Sequence, residues 1–264
     1  MTSERQPTPG FAREIELLWG LKEAPRRAPR PKLSREAIVD TAIALADAEG
    51  LEGVSMQRVA KELGYTTMSL YRHVDSKEDL LALMSDAAVK GMPVPEPRTD
   101  GDWRAGVEEW CRSAITIYRA HPWAVHIPLS GPPGGPYGLR WMEAGLRELV
   151  ASGLRADEAI QTLMLLAYTL RDALRIENDM RRVAAERGMS LEESTRMWAQ
   201  SVRRVIDPRE FPTISRVFEE GVFEEEPTET ADPGPAEDID FPIQRILDGI
   251  EAYVRDRKAG GDAP

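Results

Sequence analysis

Apolar residues recur every three or four positions along most of the chain, which is the spacing of one face of an α-helix. The pattern runs from Ser34 to Lys90 and again from Trp103 to Arg257, with short polar or Gly/Pro-rich breaks. No stretch alternates apolar and polar residues as a β-strand would, and no internal repeat is present. The hydrophobic pattern therefore predicts an all-α fold.

The first periodic stretch divides into a helix over residues 35–49, ended by Gly50, and three shorter helices that end near Lys90. The expected N-caps of these four helices are Ser34, Ser55, Thr66 and Ser76, and Asp79 stands in the capping-box position after Ser76. Gly64 separates the first two short helices, where a tight turn favours a residue that tolerates positive φ. Two short helices joined in this way form a helix-turn-helix, whose second helix enters the DNA major groove.

From Asp102 onward the pattern predicts a larger helical domain. Its expected helices cover residues 103–120, 139–152, 156–187, 191–206, 212–220 and 242–257, with a short segment over 123–129. Residues 219–240 hold ten acids and no base, which predicts a mobile loop. The apolar stripes of helices 156–187 and 242–257, which include Leu170 and Ile250, predict the contact of a homodimer.

Four motifs in the N-terminal half resemble the DNA-binding domain of the TetR family of bacterial transcriptional repressors over about residues 33–91. They read A-L-A-D-A-E-G-L-E-G-V-S-M, V-A-K-E-L-G-Y, S-L-Y-R-H-V and S-K-E-D-L-L. Near the C-terminus, F-P-I-Q-R-I-L-D-G-I-E resembles the family's last helix, which builds its dimer. The resemblance implies a three-helix helix-turn-helix domain over 32–92 and a larger ligand-binding and dimerisation domain over 100–258, and the composition of residues 1–31 indicates an N-terminal extension with a basic Pro/Arg arm.

The resemblance also implies a function: a ligand-responsive repressor that binds palindromic double-stranded operator DNA as a homodimer and is released by a small inducer. A helical enzyme or a protein-only adaptor on the same scaffold are the alternatives. The nucleophile elbow, P-loop, dinucleotide fingerprint and His-Glu-x-x-His motif are absent from the sequence, so we expect neither enzymatic activity nor a cofactor.

The DNA contacts are carried over from the resemblance residue by residue. Base or near-base contacts are expected at Gln57, Thr66, Thr67, Met68 and Arg72, phosphate contacts at Met56, Ser69, Tyr71, His73 and Lys77, and Arg58 is expected on the same surface. Gln57 suits adenine, Arg72 suits guanine and Met68 suits a thymine methyl group. Tyr71 has a second interpretation as a core aromatic beneath the recognition helix.

Large and polarisable side chains are frequent in the second half, which holds five of the six tryptophans. Such side chains suit an irregular cavity, although each alone also suits a core or a dimer interface. The resemblance implies an inducer pocket there, with Trp110, His126, Trp141, Met142, Met164, Tyr168 and Trp198 as the expected lining. His126 is either its polar member or a structural histidine, and no metal is expected because no further ligands are recognisable. A large apolar, partly aromatic, antibiotic-like compound fits this lining better than a sugar or a phosphate.

Composition and charge refine this interpretation. The chain has 264 residues, of which 42% are hydrophobic, so it can bury a sizeable core. Its single cysteine, Cys111, suits a small buried position and the reducing cytoplasm, and no apolar run is long enough for a membrane span. The net charge of −11 still allows a local basic footprint on DNA.

Residues 23–32, E-A-P-R-R-A-P-R-P-K, interleave basic residues with proline just before the helix-turn-helix. The prolines exclude a helix and favour an extended segment. Two interpretations follow: a basic arm that lies along phosphates or enters the minor groove, and a solvated linker that binds nothing.

Overall fold

The computed structural model describes residues 10–21, 33–91, 94–129, 131–223 and 237–260, with no side-chain description for 237–240. The basic segment 23–32 and most of the acidic segment 219–240 therefore lie outside the described residues. Over the described ranges the chain is helical and contains no strand, which confirms the predicted all-α fold. The helices are α1 Gly10–Leu18, α2 Arg35–Glu49, α3 Met56–Leu63, α4 Thr67–Leu70, α5 Lys77–Ala88, α6 Trp103–Ala120, α7 Pro136–Ala151, α8 Ala156–Glu186, α9 Leu191–Arg203, α10 Pro212–Glu219 and α11 Glu237–Ala259, with 3₁₀ helices at Leu51–Gly53 and Pro122–His126.

Helices α2 to α5 pack around a first core. Its fully buried residues include Ile38 on α2, Val59 on α3, Leu70 on α4, and Leu80 and Met84 on α5. Buried residues recur at three and four positions in α2, α3 and α5, so each of these helices buries one face. The result is the three-helix unit with the helix-turn-helix α3–α4, backed by α5.

Local hydrogen bonds set the ends of these helices. Ser55 Oγ accepts from the backbone amide of Arg58 at 3.1 Å, and Gly64 has a φ of 74°, as the turn requires. Thr66 stands at the N-cap of α4, but its hydroxyl pairs with Ser69 Oγ at 2.9 Å and caps no backbone amide.

The cap of α5 forms in part as predicted. Ser76 Oγ accepts from the Asp79 amide at 3.0 Å. The Asp79 carboxylate, expected to complete a capping box, instead accepts from the Arg13 guanidinium of α1 at 2.7 Å. A cationic donor offers a carboxylate a stronger hydrogen bond than a neutral backbone amide does.

A second core lies between α6, α7, α8 and α11. It is built from residues such as Val107, Trp110, Leu163, Leu170 and Leu247, all nearly or fully buried. Helix α9 packs on α8, and α10 packs on α9. The second core thus belongs to a larger helical body, whose helices follow those of the first core in the chain.

The two cores are joined through the 3₁₀ helix Pro122–His126. Its residues Trp123 and Ala124, with Ile127, pack into the first core although they follow α6 in the chain. Trp123 Nε1 donates to Asp47 Oδ1 at 2.6 Å, and His121 Nδ1 lies 2.8 Å from the same oxygen. A segment of the second domain therefore completes the core of the first.

Candidate DNA-binding surface and ligand cavity

The outer face of α3 and α4 carries the predicted DNA contacts. Leu70 and Val74 are fully buried and fix α4 against the first core, so the residues between and around them turn to solvent. The exposed side chains are Gln57, Thr66, Met68, Tyr71, Arg72 and Lys77, and the half-buried ones are Arg58, Thr67, Ser69 and His73. Ten of the eleven predicted side chains thus reach one accessible surface.

Met56 is the exception and corrects the prediction. Its side chain is 6% exposed and belongs to the first core, because it occupies the inward-facing first position of α3 beside Val59 and Ala60. A buried thioether cannot position a phosphate. Tyr71, by contrast, is 41% exposed, which rules out the core-aromatic interpretation.

Acidic partners modify the charge of this surface. Arg58 Nη2 lies 2.8 Å from Glu49, whose hydrogen bond raises the pKa of the guanidinium. At the start of α5, Asp75 and Asp79 flank Lys77, and Arg13 of α1 bonds both carboxylates at 3.1 and 2.7 Å. Arg13 therefore offsets negative charge beside a predicted phosphate contact, a role that sequence reasoning missed.

A cavity of about 430 Å³ lies between the DNA-binding unit and the larger helical body. Its walls come from α1, α5, α6, α7 and α8 and from the rim loop, which we define as Pro128–Leu129 and Gly131–Gly135. A volume of this size suits a small organic molecule.

Four of the seven predicted pocket residues line this cavity: Trp141, Met142, Met164 and Tyr168. The structure places Trp110, His126 and Trp198 elsewhere. Trp110 is fully buried behind Trp141, with ring centroids 4.0 Å apart, and it donates Nε1 to Trp141 O at 2.9 Å. Its ring therefore supports the cavity wall without reaching the cavity.

His126 and Trp198 lie outside for different reasons. His126 is exposed at the end of its 3₁₀ helix, because its buried neighbours Val125 and Ile127 take the inward positions. Trp198 is 50% exposed and packs with Phe218 and Phe223 at centroid distances of 5.9 and 5.4 Å, on the α9–α10 side of the body.

The Trp141 indole has its polar atom satisfied outside the cavity. Its Nε1 donates to Ser113 Oγ at 3.0 Å, while Ser113 Oγ donates to Trp110 O at 2.7 Å. The side chain thus adds aromatic carbon to the lining and holds a fixed position. Tyr118 lies nearby in the same lining, and burial raises the pKa of its hydroxyl.

The charged groups in the lining are three carboxylates and one guanidinium, namely Glu14, Glu78, Asp86 and Arg171. Arg171 Nη2 donates to Val125 O at 2.8 Å and also to Ile127 O, and burial lowers the pKa of this guanidinium. Because three carboxylates outnumber this one guanidinium, the lining is unfavourable for a phosphate.

Asp86 connects α5 with α7 at the edge of the cavity. Its Oδ1 accepts from the Gly138 amide at 2.8 Å. A Cβ at Gly135 would stand 2.2 Å from this carboxyl, so glycine there admits the Asp86 side chain to the first turn of α7. Burial raises the pKa of Asp86, and hydrogen bonds from the Gly138 and Tyr137 amides act in the opposite direction.

Sequence reasoning missed the contributions of α1, α5 and Arg171 to the cavity. A signal was present for Arg171, because residues 164, 168 and 171 follow the spacing of one helical face. No comparable signal exists for α1 or Asp86, since their approach depends on tertiary packing. Within the described residues no group of three or more His, Cys, Asp or Glu could hold a metal ion, and no helix there has the length and apolarity of a membrane span.

Two family models match the chain. Residues 38–84 match the one described as "Bacterial regulatory proteins, tetR family". Residues 94–254 match the one described as "Tetracyclin repressor-like, C-terminal domain". The first covers the helix-turn-helix and most of α5, and the second covers α6 to α10 and most of α11.

Individual proteins agree with these matches. The HTH-type transcriptional repressor DrrR1 of Streptomyces coeruleorubidus is 34% identical over 264 residues, which span all of this chain and 93% of that protein. The tetracycline repressor protein class C of Escherichia coli is 32% identical over 161 residues, which span 60% of this chain and 72% of that protein.

Solved structures share the fold. The TetR family protein ActR of Streptomyces coelicolor, in complex with actinorhodin, superposes with a TM-score of 0.69 and 27% sequence identity. That superposition covers 85% of this chain and 98% of ActR. ActR in complex with (S)-DNPA gives a TM-score of 0.68 at 26% identity and covers 84% of this chain and 99% of that chain.

Proposed function

The chain belongs to the TetR family of bacterial transcriptional regulators, and we propose that it is a ligand-responsive repressor that binds a palindromic operator as a homodimer. A small, largely apolar inducer releases it from DNA. Its relatives are transcriptional regulators, and we assign it no catalytic step. Its place of action is the cytoplasm, where the operator is accessible.

The observation that carries this proposal is a cavity shared between the two domains. Helix α5 contributes Leu80 and Met84 to the first core, on which α4 rests, while Leu81 and Ser85 of the same helix line the cavity. A molecule that fills the cavity presses on the helix that supports the recognition helix. Binding then favours dimers in which the two recognition helices no longer match the operator spacing.

Asp86 is the residue that we propose to transmit this change. Its carboxylate ties α5 to the first turn of α7 at 2.8 Å and lies in the cavity lining. A ligand that competes for this carboxylate, or that separates α5 from α7, loosens the tie. Helix α5 can then tilt relative to the C-terminal body.

The DNA-binding surface comprises the ten accessible side chains of α3, α4 and the start of α5. Arg72 and Gln57 are exposed and can form bidentate contacts with base edges, whereas Lys77 at the helix start suits a phosphate. Arg58 must exchange its Glu49 ion pair for a phosphate, which costs little because exposed ion pairs contribute little stability.

The homodimer uses the outer faces of α8 and α11. Leu170 and Ile250, which the sequence placed in this contact, are buried within the chain and belong to its own core. Among the described side chains, the large apolar or aromatic ones that the fold leaves exposed on these two helices are Leu165, Tyr168, Ile176, Met180, Phe241 and Tyr253, of which Tyr168 also lines the cavity. They supply an apolar surface of the kind that dimer interfaces bury.

The ligand is a compound with aromatic and apolar surface that is neutral or cationic. Trp141, Met142 and Tyr168 offer ring and thioether contacts, and the charged lining has three carboxylates against one occupied guanidinium. ActR, which shares the fold, was solved with actinorhodin bound. The cavity also favours a repressor over a protein-only adaptor, because an adaptor needs no internal space for a ligand.

Operator binding and release test the proposal together. Fluorescence anisotropy with the DNA upstream of the protein's own gene is expected to give sequence-selective binding, and native mass spectrometry identifies any compound retained from the cell. Actinorhodin is the first compound to titrate, followed by other aromatic polycycles.

Variants of the lining separate the two activities. Trp141→Ala and Tyr168→Ala should bind the operator as wild type does and lose release by the compound, because neither residue lies on the DNA surface. Trp198→Ala is the matched control and should keep both activities, since Trp198 packs on α9–α10 outside the cavity. If the wild type showed no sequence-selective DNA binding, the proposed repressor function would be refuted.

A further inference from the structure

Helix α1 lies outside both stretches that the family models match, yet it packs against both domains. We propose that α1 is a wall of the inducer site that binds the ligand directly and passes its presence to the DNA-binding unit. This inference rests on the proposed function and extends it to a segment that no comparison assigns to the site.

Three sides of α1 and of the turn that follows it meet three different partners, and each side includes a pair of residues four apart. Ile15 and Trp19 face the rim loop. Trp19 Nε1 donates to Gly134 O at 2.9 Å, and a Cβ at Gly134 would stand 3.2 Å from Ile15. Phe11 extends this contact, 3.4 Å from the position of a Cβ at Gly131. The absence of side chains at Gly131 and Gly134 lets α1 approach the loop closely at these two positions.

The second side, Arg13 and Leu17, faces the DNA-binding unit. Arg13 bonds Asp79 at 2.7 Å and Asp75 at 3.1 Å, on either side of Lys77. The carbonyl of Leu17 accepts from Arg35 Nη1 at 3.2 Å. Arg35 also donates from Nε to His73 O at 3.4 Å, so α1 is linked by one side chain to the end of the recognition segment.

The third side, Glu14 and Leu18, lines the cavity. Residues four apart stand above one another on a helix, so the two side chains form one strip of the wall. Leu18 offers apolar contact, and Glu14 offers a carboxylate, which accepts hydrogen bonds from hydroxyl or amine groups. A ligand that spans the cavity from Trp141 to α1 therefore meets both an apolar side chain and a carboxylate on the α1 wall.

The consequence is a direct route from ligand to DNA surface. A molecule that displaces α1 also moves Arg13 and Leu17, because one short helix carries all three sides. Displacement leaves Asp75 and Asp79 without the Arg13 guanidinium beside Lys77, where like charge repels DNA phosphate. It also removes the Leu17 carbonyl from Arg35, which holds the His73 backbone.

Covalent occupation of the cavity tests this without knowledge of the natural ligand. The background is Cys111→Ala, which removes the single cysteine. Leu18→Cys and Met164→Cys then place a thiol on the α1 wall and on the opposite α8 wall. Glu16→Cys is the control, about 160° around α1 from Leu18 at 100° per residue, on the side opposite the strip that lines the cavity. Each thiol is modified with acrylodan, an apolar dye whose emission shifts to the blue in a dry environment.

Each modified variant is compared with the same variant before modification, so that the effect of the dye on operator binding is measured apart from that of the substitution. Dye on Leu18→Cys should emit in the blue and weaken operator binding roughly tenfold or more, the size of a typical coupling between sites. Dye on Met164→Cys should do the same, and dye on Glu16→Cys should emit in the green and change binding less than about threefold.

The pattern of outcomes separates this inference from the proposed function. Release from Met164→Cys but not from Leu18→Cys, or green emission from the Leu18→Cys dye, overturns the role of α1 and leaves the repressor intact. Release from neither cavity position contradicts the cavity-based release mechanism itself. Equal release from Glu16→Cys and Leu18→Cys shows that modification anywhere on α1 weakens operator binding, and it also overturns the inference.

Discussion

The DNA-binding surface and the ligand cavity differ in how their residues are distributed along the chain. The predicted DNA contacts all fall between residues 56 and 77, on two short helices and the start of a third. The cavity draws its lining from Glu14 to Arg171 and needs five helices and a loop to form. A surface built from one short stretch can be recognised in the sequence, whereas a cavity becomes visible only after packing.

The two regions also differ in what holds them. The DNA surface is supported from one side by Leu70 and Val74, and its outer side chains are accessible to DNA. The cavity is held by links between domains, such as Asp86 with Gly138 and Trp19 with Gly134. Evolution of a new ligand specificity can therefore change α1, α5 or the rim loop while the outer face of α3–α4 stays constant.

The largest expected effect tests whether the two regions fold as one unit. Leu70 and Leu166 are both 0% exposed, one in each core. Replacement of either by alanine should destabilise the protein by about 2–5 kcal/mol, because apolar burial is removed and a cavity remains. Because Trp123 of the second domain packs in the first core, both variants should unfold in one calorimetric transition at lower temperature. A separate early transition in Leu70→Ala would show that the domains are independent.

The next effect belongs to the DNA surface alone. Arg72→Ala should weaken operator binding by about 1–3 kcal/mol and relax the base preference at one position per half-site. Lys77→Ala should weaken binding to all sequences and flatten the salt dependence. Titrations with the operator and with single-base variants at several salt concentrations distinguish the two. If both variants bound the operator as the wild type does, α3–α4 would not be the unit that reads DNA.

The helix ends of the DNA-binding unit could be predicted from the sequence more accurately than the lining of the cavity. The caps Ser34, Ser55 and Ser76 and the turn at Gly64 depend on neighbours a few residues away, so their pattern was readable. Met56 was misassigned because its position in the resemblance did not reveal which face of α3 turns inward.

The cavity residues show the complementary limit. Met164 and Tyr168 were predicted from their shared helical face, and they do line the cavity. Trp110 is aromatic like Trp141 but lies behind it. Composition does not reveal which of two aromatic side chains is nearer to the cavity. Trp198 has its aromatic partners on α10 and beyond, and only tertiary packing determines which cluster an aromatic side chain joins.

Asp86 provides a smaller effect at the contact between the two regions. Asp86→Ala leaves the Gly138 amide without its partner and should cost about 1–3 kcal/mol of stability. Asp86→Asn keeps an acceptor for that amide and removes the buried charge, so its cost should be close to zero.

The pH dependence separates charge from hydrogen bond at this position. Burial raises the pKa of Asp86 in the folded state above 3.8, its ordinary value. The folded protein therefore holds this proton more tightly than the unfolded chain, and stability from this group falls as pH rises from 3.8 through the raised value. Relative to wild type, Asp86→Asn should gain stability as pH rises from about 4 through the raised pKa of Asp86, as measured by urea unfolding. A constant difference would mean that the charge makes no contribution.

The smallest effect is that of the basic segment 23–32 on operator binding. Two N-terminal deletions distinguish its contribution from that of α1. Deletion of residues 1–21 removes α1 with Arg13 and keeps the basic segment 23–32, whereas deletion of residues 1–31 also removes Arg26, Arg27 and Arg30. Both products should remain folded dimers, because the removed residues contribute only partly buried side chains to the first core. If the basic segment is an arm on DNA, the longer deletion should lower the salt slope of operator binding by about 0.9 for each phosphate that the arm neutralises, while base preference stays the same. Equal slopes for the two deletions would identify the segment as a solvated linker and would assign any reduction in affinity to α1, through the carboxylates of Asp75 and Asp79 that Arg13 no longer offsets.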